Sequence, residues 1–148
     1  MDLKWKCVPF VELSLEELYA IIRLRNEVFV VEQNCVFQDA DNKDQFCHHL
    51  MAWDGNTLAA YARLVPPGVI YDEVSIGRVI TSKPYRGAGT GRQLMHHAIV
   101  NSALIFGEKN IKIGAQLYLK KMYESFGFQQ VGEAYIEDGI PHIYMYRI

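Results

Sequence analysis

No apolar run in this chain approaches the ~18 residues that a membrane-spanning helix needs, and no basic-then-apolar leader opens it. A soluble, cytoplasmic protein with no membrane partner is expected. Cysteine is scarce: Cys7, Cys35 and Cys47 are odd in number and show no Cys-x-x-Cys spacing. That excludes a disulfide framework and points to free thiols in a reducing compartment. Positive charge is not in excess either, since 15 Lys and Arg against 17 Asp and Glu give a net charge of −2 with no basic stripe. A nucleic-acid partner is therefore disfavoured, and a neutral or cationic ligand mildly favoured. Repeats, linkers and low-complexity tracts are missing, so residues 1–148 read as one domain.

What the chain does have is apolar residues, 50% of the total. At this length a domain buries roughly 70% of its unfolded surface. Lys4 to Pro9 reads as a short edge strand. Ser14-Leu15-Glu16-Glu17 is a capping box, and the helix behind it sets Leu18, Ile21, Ile22, Arg25, Val28 and Phe29 at helical spacing, fraying near Val31. Glu32 to Phe46 shows no period; with Asp39, Asp41 and Asp44 it reads as rim loops around one short helical turn at most. His49 to Trp53 and Thr57 to Val65 read as strands joined by a hairpin at Asp54-Gly55-Asn56. A further strand runs from about Glu73 to Ser82. A helix from Thr90 to Phe106 presents Leu94, Met95, Ala98, Ile99, Ala103 and Phe106 on one face and stops at Gly107. Ile111 to Ala115 is a short buried strand and Tyr118 to Phe126 a last helix. Phe128 to Ile136 and Ile140 to Ile148 are strands joined at Glu137-Asp138-Gly139. Strand and helix alternate only in the second half, so the expected class is α/β with a mixed sheet and helices on both faces.

Before the long helix lies Tyr85-Arg86-Gly87-Ala88-Gly89-Thr90-Gly91-Arg92. Three glycines in five positions bring bare backbone N–H groups to the positive end of a helix, an arrangement that binds phosphate. Each donor to a charged oxygen contributes roughly 1.5–3 kcal/mol, against ~0.3–1 kcal/mol for an exposed helix dipole, so the amides dominate. A Walker loop fails because Arg92-Gln93 stands where Lys-Ser/Thr is required. A dinucleotide fingerprint fails because the spacing is Gly87-x-Gly89-x-Gly91, far from a first strand–helix unit. On these residues alone an ordinary glycine-rich turn stays open.

Arg86-x-x-Gly89-x-Gly91 resembles the diphosphate loop of the GCN5-related N-acetyltransferase (GNAT) family, which uses acetyl-CoA. Tyr123-Glu124-Ser125-Phe126-Gly127-Phe128 is similar to that family's Tyr-x-x-x-Gly-Phe segment, and Arg25-Asn26-Glu27-Val28-Phe29 to its first-helix Arg-x-x-Val-Phe. Val79-Ile80-Thr81 lies at the family's distance before the loop. More narrowly, Val28-Phe29-Val30-Val31-Glu32-Gln33, Ile76-Gly77-Arg78-Val79 and Asp138-Gly139-Ile140-Pro141-His142 resemble the ElaA-type subfamily. The likeness runs over nearly the whole chain. One departure is Gln116, where family members often carry an Asn that steadies the pantetheine arm. The resemblance implies a mostly antiparallel sheet of about 6–7 strands with a splayed central pair. It also implies that Arg86, Gly87, Ala88, Gly89, Thr90, Gly91 and Arg92 hold the diphosphate of coenzyme A.

Acetyl transfer from a thioester to an amine, the activity so implied, makes further demands. The pantetheine arm can pair as an extra strand with backbone at Val79 and Thr81, provided that strand parts from Ile111 to Gly114, and the N–H of Val79 or Ile80 can meet the thioester oxygen as charge develops on it. The leaving thiolate needs a proton. A thiol titrates near ~8.5 and a tyrosine near ~10, so a tyrosine suits the task, and the resemblance makes Tyr123 the candidate. Spacing alone fits a core tyrosine equally well. A lysine-like amine costs about 4.6 kcal/mol to deprotonate at pH 7, which a base should offset. Glu73 and Glu32 are candidates, each also readable as a solvated acid. Arg78 is placed either to fix an acidic substrate or to pair with Glu73 or Asp72. His142 is a candidate for lining the acceptor pocket, with the rim from Val30 to Phe46 and the Tyr135 to His142 hairpin.

Cys47-His48-His49 with Cys35 lacks the paired spacing of a zinc site, and adjacent histidines in a strand point to opposite faces. No metal is expected. Cys35 or Cys47 as an acyl carrier has no base beside it in the sequence. The leading expectation is direct transfer to a small-molecule or peptide amine. The alternatives are a non-catalytic acyl-CoA-binding or sensing module and a generic nucleotide-binding domain. The sequence leaves the oligomeric state open, a homodimer being common among such folds by analogy alone.

Overall fold

Ser14 opens the first helix as the capping box requires: Ser14 Oγ accepts from the Glu17 N–H at 3.0 Å, and Glu17 Oε1 accepts from the Ser14 N–H at 2.8 Å. The structure, a computed structural model, describes residues 2–148. Helix α1 covers Leu15–Arg25 and then, instead of fraying, widens into a π-helical turn over Asn26–Glu32. Val28, Val30 and Val31 crowd the preceding turn of an α-helix. The wider winding lets Val28 stay in the core while Phe29 and Glu32 face a cavity. Such turns concentrate at functional sites.

Strands β1 (Lys4–Pro9), β2 (His48–Asp54), β3 (Thr57–Val65) and β4 (Ser75–Thr81) form an antiparallel sheet in that order. A second antiparallel sheet has β7 (Ile140–Arg147) between β5 (Ile111–Gln116) and β6 (Gln129–Glu137). The expected splay goes further than a distortion within one sheet. Parallel neighbours β4 and β5 meet at a single bridge, Val74 to Ile111, where Lys112 N–H donates to the Val74 carbonyl at 2.9 Å. Beyond it they separate into a fork.

Two β-bulges decide which face each side chain serves. Between Tyr61–Ile80 and Arg63–Gly77 the register holds one residue on β3 and two, Arg78 and Val79, on β4. Regular alternation would put Ile76 and Ile80 on one face. The extra residue sends Ile76 and Val79 to one core and Ile80 to the other, and Arg78 takes a left-handed φ of 50° to make the turn. A second bulge, at Ala52 and Trp53, does the same for Leu58 and Ala60.

Helix α2 (Thr90–Phe106) lies across both sheets. Its fully buried Leu94, Met95 and Ala98 share one cluster with Leu50 and Leu64 of the first sheet and Ile113, Ile143 and Met145 of the second. Each such leucine-sized burial contributes ~1.5–3 kcal/mol, so α2 is what binds the two halves together. Helix α3 (Lys120–Glu124), shorter than expected and entered through a 3₁₀ turn at Leu117–Leu119, packs Tyr123 into the same cluster. On the first sheet's opposite face α1 buries Ile21, Leu24 and Val28 against Met51, Tyr61 and Ile80. In the second sheet Tyr135 and Tyr144 stack with centroids 4.6 Å apart. A Cβ on Gly114 would meet the Tyr135 and Tyr71 hydroxyls at 3.0 and 3.1 Å, so close tyrosine approach requires the glycine there.

Candidate active site

The fork between β4 and β5 opens into a cavity of about 770 Å³. At one end stands the N-terminus of α2. Its capping residue is Gly89, which has no side chain to accept from the first-turn amides, so those N–H groups keep no capping partner. Gly87 and Gly89 hold φ of 85° and 79°, and a Cβ built on either would meet nothing within 4 Å. Left-handed glycines, free amides and empty space at a helix N-terminus make an anion cradle. A diphosphate fits this donor set. Gly87, Gly89, Thr90 and Gly91 line the cavity, and Arg86 stands beside them. Ala88 and Arg92 do not line it. The Arg92 guanidinium lies 4.9 Å over the Phe126 ring and donates to Ser125 Oγ at 3.1 Å, tying α2 to the end of α3.

Val79, Ile80 and Thr81 run along the wall on β4, whose far edge is left without a strand partner once the fork opens. Thr81 is partly committed: its carbonyl accepts from Arg86 Nε at 2.9 Å. The same guanidinium reaches Glu32 Oε2 at 2.9 Å from the π-helical turn. The bulge makes Val79 the residue that swings toward the helix-α2 side of the fork.

Tyr123 lines the cavity from α3 at 5% exposure, edge-on to Phe128 at 5.9 Å. The ring is part of the core, and the residue also borders the cavity. Burial, and secondarily Tyr118, push its phenol up to about 12. It therefore stays protonated throughout the neutral range, with a hydroxyl proton available to donate. Full proton release is harder than from an exposed tyrosine.

The remaining site residues divide. Glu32 and His142 line the cavity, with the rim residues Gln33, Cys35, Phe37 and Gln38 on one side and Glu137 and Asp138 of the β6–β7 turn on the other. Cys35 Sγ reaches the Asp138 carbonyl at 3.8 Å across the gap. Glu73 is not among them. It sits next to the Val74 bridge, at the closed end of the fork, where the Tyr146 hydroxyl donates to it and lowers its pKa. The expected pairing of Arg78 with Glu73 or Asp72 is also overturned. Arg78 borders the cavity, but its Nε donates to Asp39 Oδ1 at 2.7 Å, its Nη2 lies 3.5 Å from Asp41, and its plane covers Phe29. The bulge turns the side chain toward the rim loop and away from the start of the strand.

Sequence reasoning missed the lattice to which Arg78 belongs. Arg25, 2% exposed, donates to Asp39 Oδ2 and Asp44 Oδ1, both at 2.6 Å. Arg63, 1% exposed, donates to Asp41 through both terminal nitrogens and to Asp44 at 2.9 Å. Three arginines thus neutralise three aspartates and fasten the rim loop to α1, β3 and β4. Burial alone would raise Asp41, but the Arg63 hydrogen bonds and charge outweigh it and hold the carboxyl at about 2. The signal was present. Arg25 falls on the apolar stripe of α1 and Arg63 inside an apolar strand, and a buried guanidinium demands counterions.

His49 completes the support. Its Nε2 faces the Asp44 carbonyl at 2.9 Å and its Nδ1 the Tyr61 hydroxyl at 2.6 Å. A carbonyl can only accept, so Nε2 carries the proton and Tyr61 donates to Nδ1. His48 points elsewhere, edge-on to Phe106. The thiols are suppressed: burial pushes Cys7 and Cys47 up to about 11, and Cys35 is also raised.

The sequence model of the acetyltransferase (GNAT) domain matches residues 17–147. Protein ElaA of Escherichia coli is 43% identical over 147 residues, 98% of this chain and 96% of that protein. The crystal structure of Escherichia coli ElaA superposes with a TM-score of 0.94 at 42% identity, covering 99% of this chain and all of the other. An acyl-CoA N-acyltransferase from Pseudomonas aeruginosa superposes with a TM-score of 0.96 at 44% identity over the same shares. Uncapped amides at the fork, the bulged strand beside them and these full-length likenesses agree: the chain belongs to the GNAT acetyltransferase family, as an ElaA-type member of acyltransferase class.

Proposed function

We propose that the protein is a cytoplasmic N-acetyltransferase that moves an acetyl group from acetyl-CoA to a primary amine of a small molecule or peptide by direct attack. The observation that carries the reading is the continuity of the cavity. It runs from the free amides at Gly89 and Thr90, along the open edge of β4, to Tyr123. The thioester supplies an activated acyl carbon. The chain supplies everything else. Gly87, Gly89, Thr90 and Gly91 hold the diphosphate through backbone N–H groups and Arg86 adds a charge. Backbone at Val79 and Thr81, on the open edge of β4, offers the arm a strand to pair with, and the Val79 N–H offers the thioester oxygen a donor, while Ile80 pairs with Tyr61 across the sheet. Tyr123 donates to the leaving sulfur.

The β6–β7 wall beyond Tyr123 carries Glu137 and Asp138, acids without an arginine or lysine partner that suit a cationic amine, whereas Glu32 on the facing wall is matched by Arg86. Arg78 contributes as a brace for the rim, its charge already matched by Asp39 and Asp41. A carrier cysteine is disfavoured because the raised thiols hold little thiolate near neutrality.

The test is thiol release from acetyl-CoA against a panel of polyamines, amino acids, aminoglycosides and peptide N-termini. Amine-dependent release supports the enzyme. Coenzyme A binding with no release for any amine leaves a sensing module. Binding of ATP or NAD that coenzyme A fails to displace rejects the site altogether.

A further inference from the structure

With Glu73 at the closed end of the fork, the cavity needs another group to take the ammonium proton. His142 lines the cavity from β7, opposite Gln116 at the end of β5. It is 8% exposed, and its ring lies nearly parallel to that of Tyr135, centroids 5.8 Å apart. Its Nδ1 lies 2.7 Å from the Ile140 carbonyl. That oxygen can only accept, so Nδ1 carries the proton and the neutral ring keeps its lone pair on Nε2. Nε2 in turn lies 3.6 Å from Glu137 Oε2. In that tautomer both atoms are acceptors with no hydrogen between them, a gap that a donor with several N–H bonds would bridge.

We infer that His142 is the general base and that Glu137 holds the acceptor ammonium beside it, an inference that rests on the acetyltransferase reading above. The ammonium donates to Glu137 and passes one proton to His142 Nε2. The freed nitrogen lone pair then forms the bond to the acyl carbon as the bond from that carbon to sulfur breaks. Sulfur takes the Tyr123 proton, and the second proton lost by nitrogen restores it. The imidazolium formed on the way faces the Glu137 carboxylate, which stabilises it, and its proton leaves to water.

The surroundings bear on the pH response. β6 contributes Glu137 and Tyr135, the turn Asp138, the facing loop Cys35, and β5 the uncharged Gln116. Across the cavity the charges of Glu32 and Arg78 are matched by Arg86 and Asp39. Glu137 and Asp138 have no arginine or lysine partner, and Glu137, 3.6 Å from Nε2, is the one that reaches the ring.

The experiment compares the parent with His142→Asn and Glu137→Gln. Imidazole NMR of the free parent should show the Nδ1–H tautomer. His142→Asn should bind coenzyme A as the parent does by calorimetry, lose ~10²–10⁴-fold in kcat/KM for an alkylamine, and lose the acid limb of the pH profile. For an arylamine, already neutral at pH 7, the defect should shrink at least about tenfold, because no proton need be removed before attack and only the one that restores Tyr123 leaves nitrogen. Glu137→Gln should move the acid limb to lower pH, and decides the matter if His142→Asn does not fold. An Nε2–H tautomer, an unchanged limb, or equal defects for alkyl- and arylamines would overturn the assignment. A parent that binds no coenzyme A rejects the acetyltransferase reading, and the base falls with it.

Discussion

Glu32 and Arg86 meet at 2.9 Å at the rim of the cavity, a carboxylate from the first helix on a guanidinium of the anion loop. A bound diphosphate competes for the same guanidinium. Both partners are about two-fifths exposed, so the pair is worth at most ~1 kcal/mol. Glu32→Gln should therefore tighten coenzyme A binding by up to about fivefold. Arg86→Ala should weaken it by about tenfold or more, as expected for a charge-assisted bond of ~1.5–3 kcal/mol. Calorimetry at low salt reads both, and weaker binding by the glutamine variant would contradict the competition.

Gly89→Asp should abolish coenzyme A binding. Gly89 sits at φ 79°, where L side chains are strained, and the new carboxylate would occupy the space beside the free amides. Unchanged affinity would remove the loop from the site.

Tyr123→Phe should lower kcat at least about 100-fold while coenzyme A affinity stays within about twofold. The ring packing against Phe128 is kept, and only the hydroxyl is lost. Turnover equal to the parent's would mean that the sulfur draws its proton from elsewhere.

The arginine–aspartate lattice predicts an acid transition. Asp41 is held at about 2 in the folded protein, below the ~3.9 of an unfolded aspartate. A depressed carboxyl stabilises the fold above its unfolded pKa. That contribution, roughly 2 kcal/mol, is lost as pH falls from about 4 to 2. Asp44, also lowered, adds in the same direction. Urea titrations of Asp41→Asn should show a flatter dependence in that window. Arg63→Ala, which leaves Asp41 only its longer contact with Arg78 and Asp44 only Arg25, should cost ~3–5 kcal/mol at pH 7; a loss under ~1 kcal/mol would show that the lattice is dispensable.

Local chemistry made much of this legible in advance. The capping box fixed the start of α1, the glycines of the anion loop fixed the start of α2, and the Asp-Gly turn fixed the last hairpin. What stayed hidden depends on long-range pairing. A bulge shows only once β3 and β4 are in register, and with it goes the direction of Arg78. Glu73 looked well placed at the head of the central strand, but it is the other end of that strand that opens onto the cavity. The aspartates at 39, 41 and 44 read only as parts of a rim loop because their partners lie 14 to 39 residues away.

The lone rung between Val74 and Ile111 makes the molecule a pair of tongs, with that rung as pivot and α2 laid over both arms. How wide the jaws stand is then set by the bulk clamped beneath the helix, at Leu94 and Met95, residues that touch no reactant. Trimming those side chains would change how far β4 and β5 stand apart without removing any residue that lines the cavity.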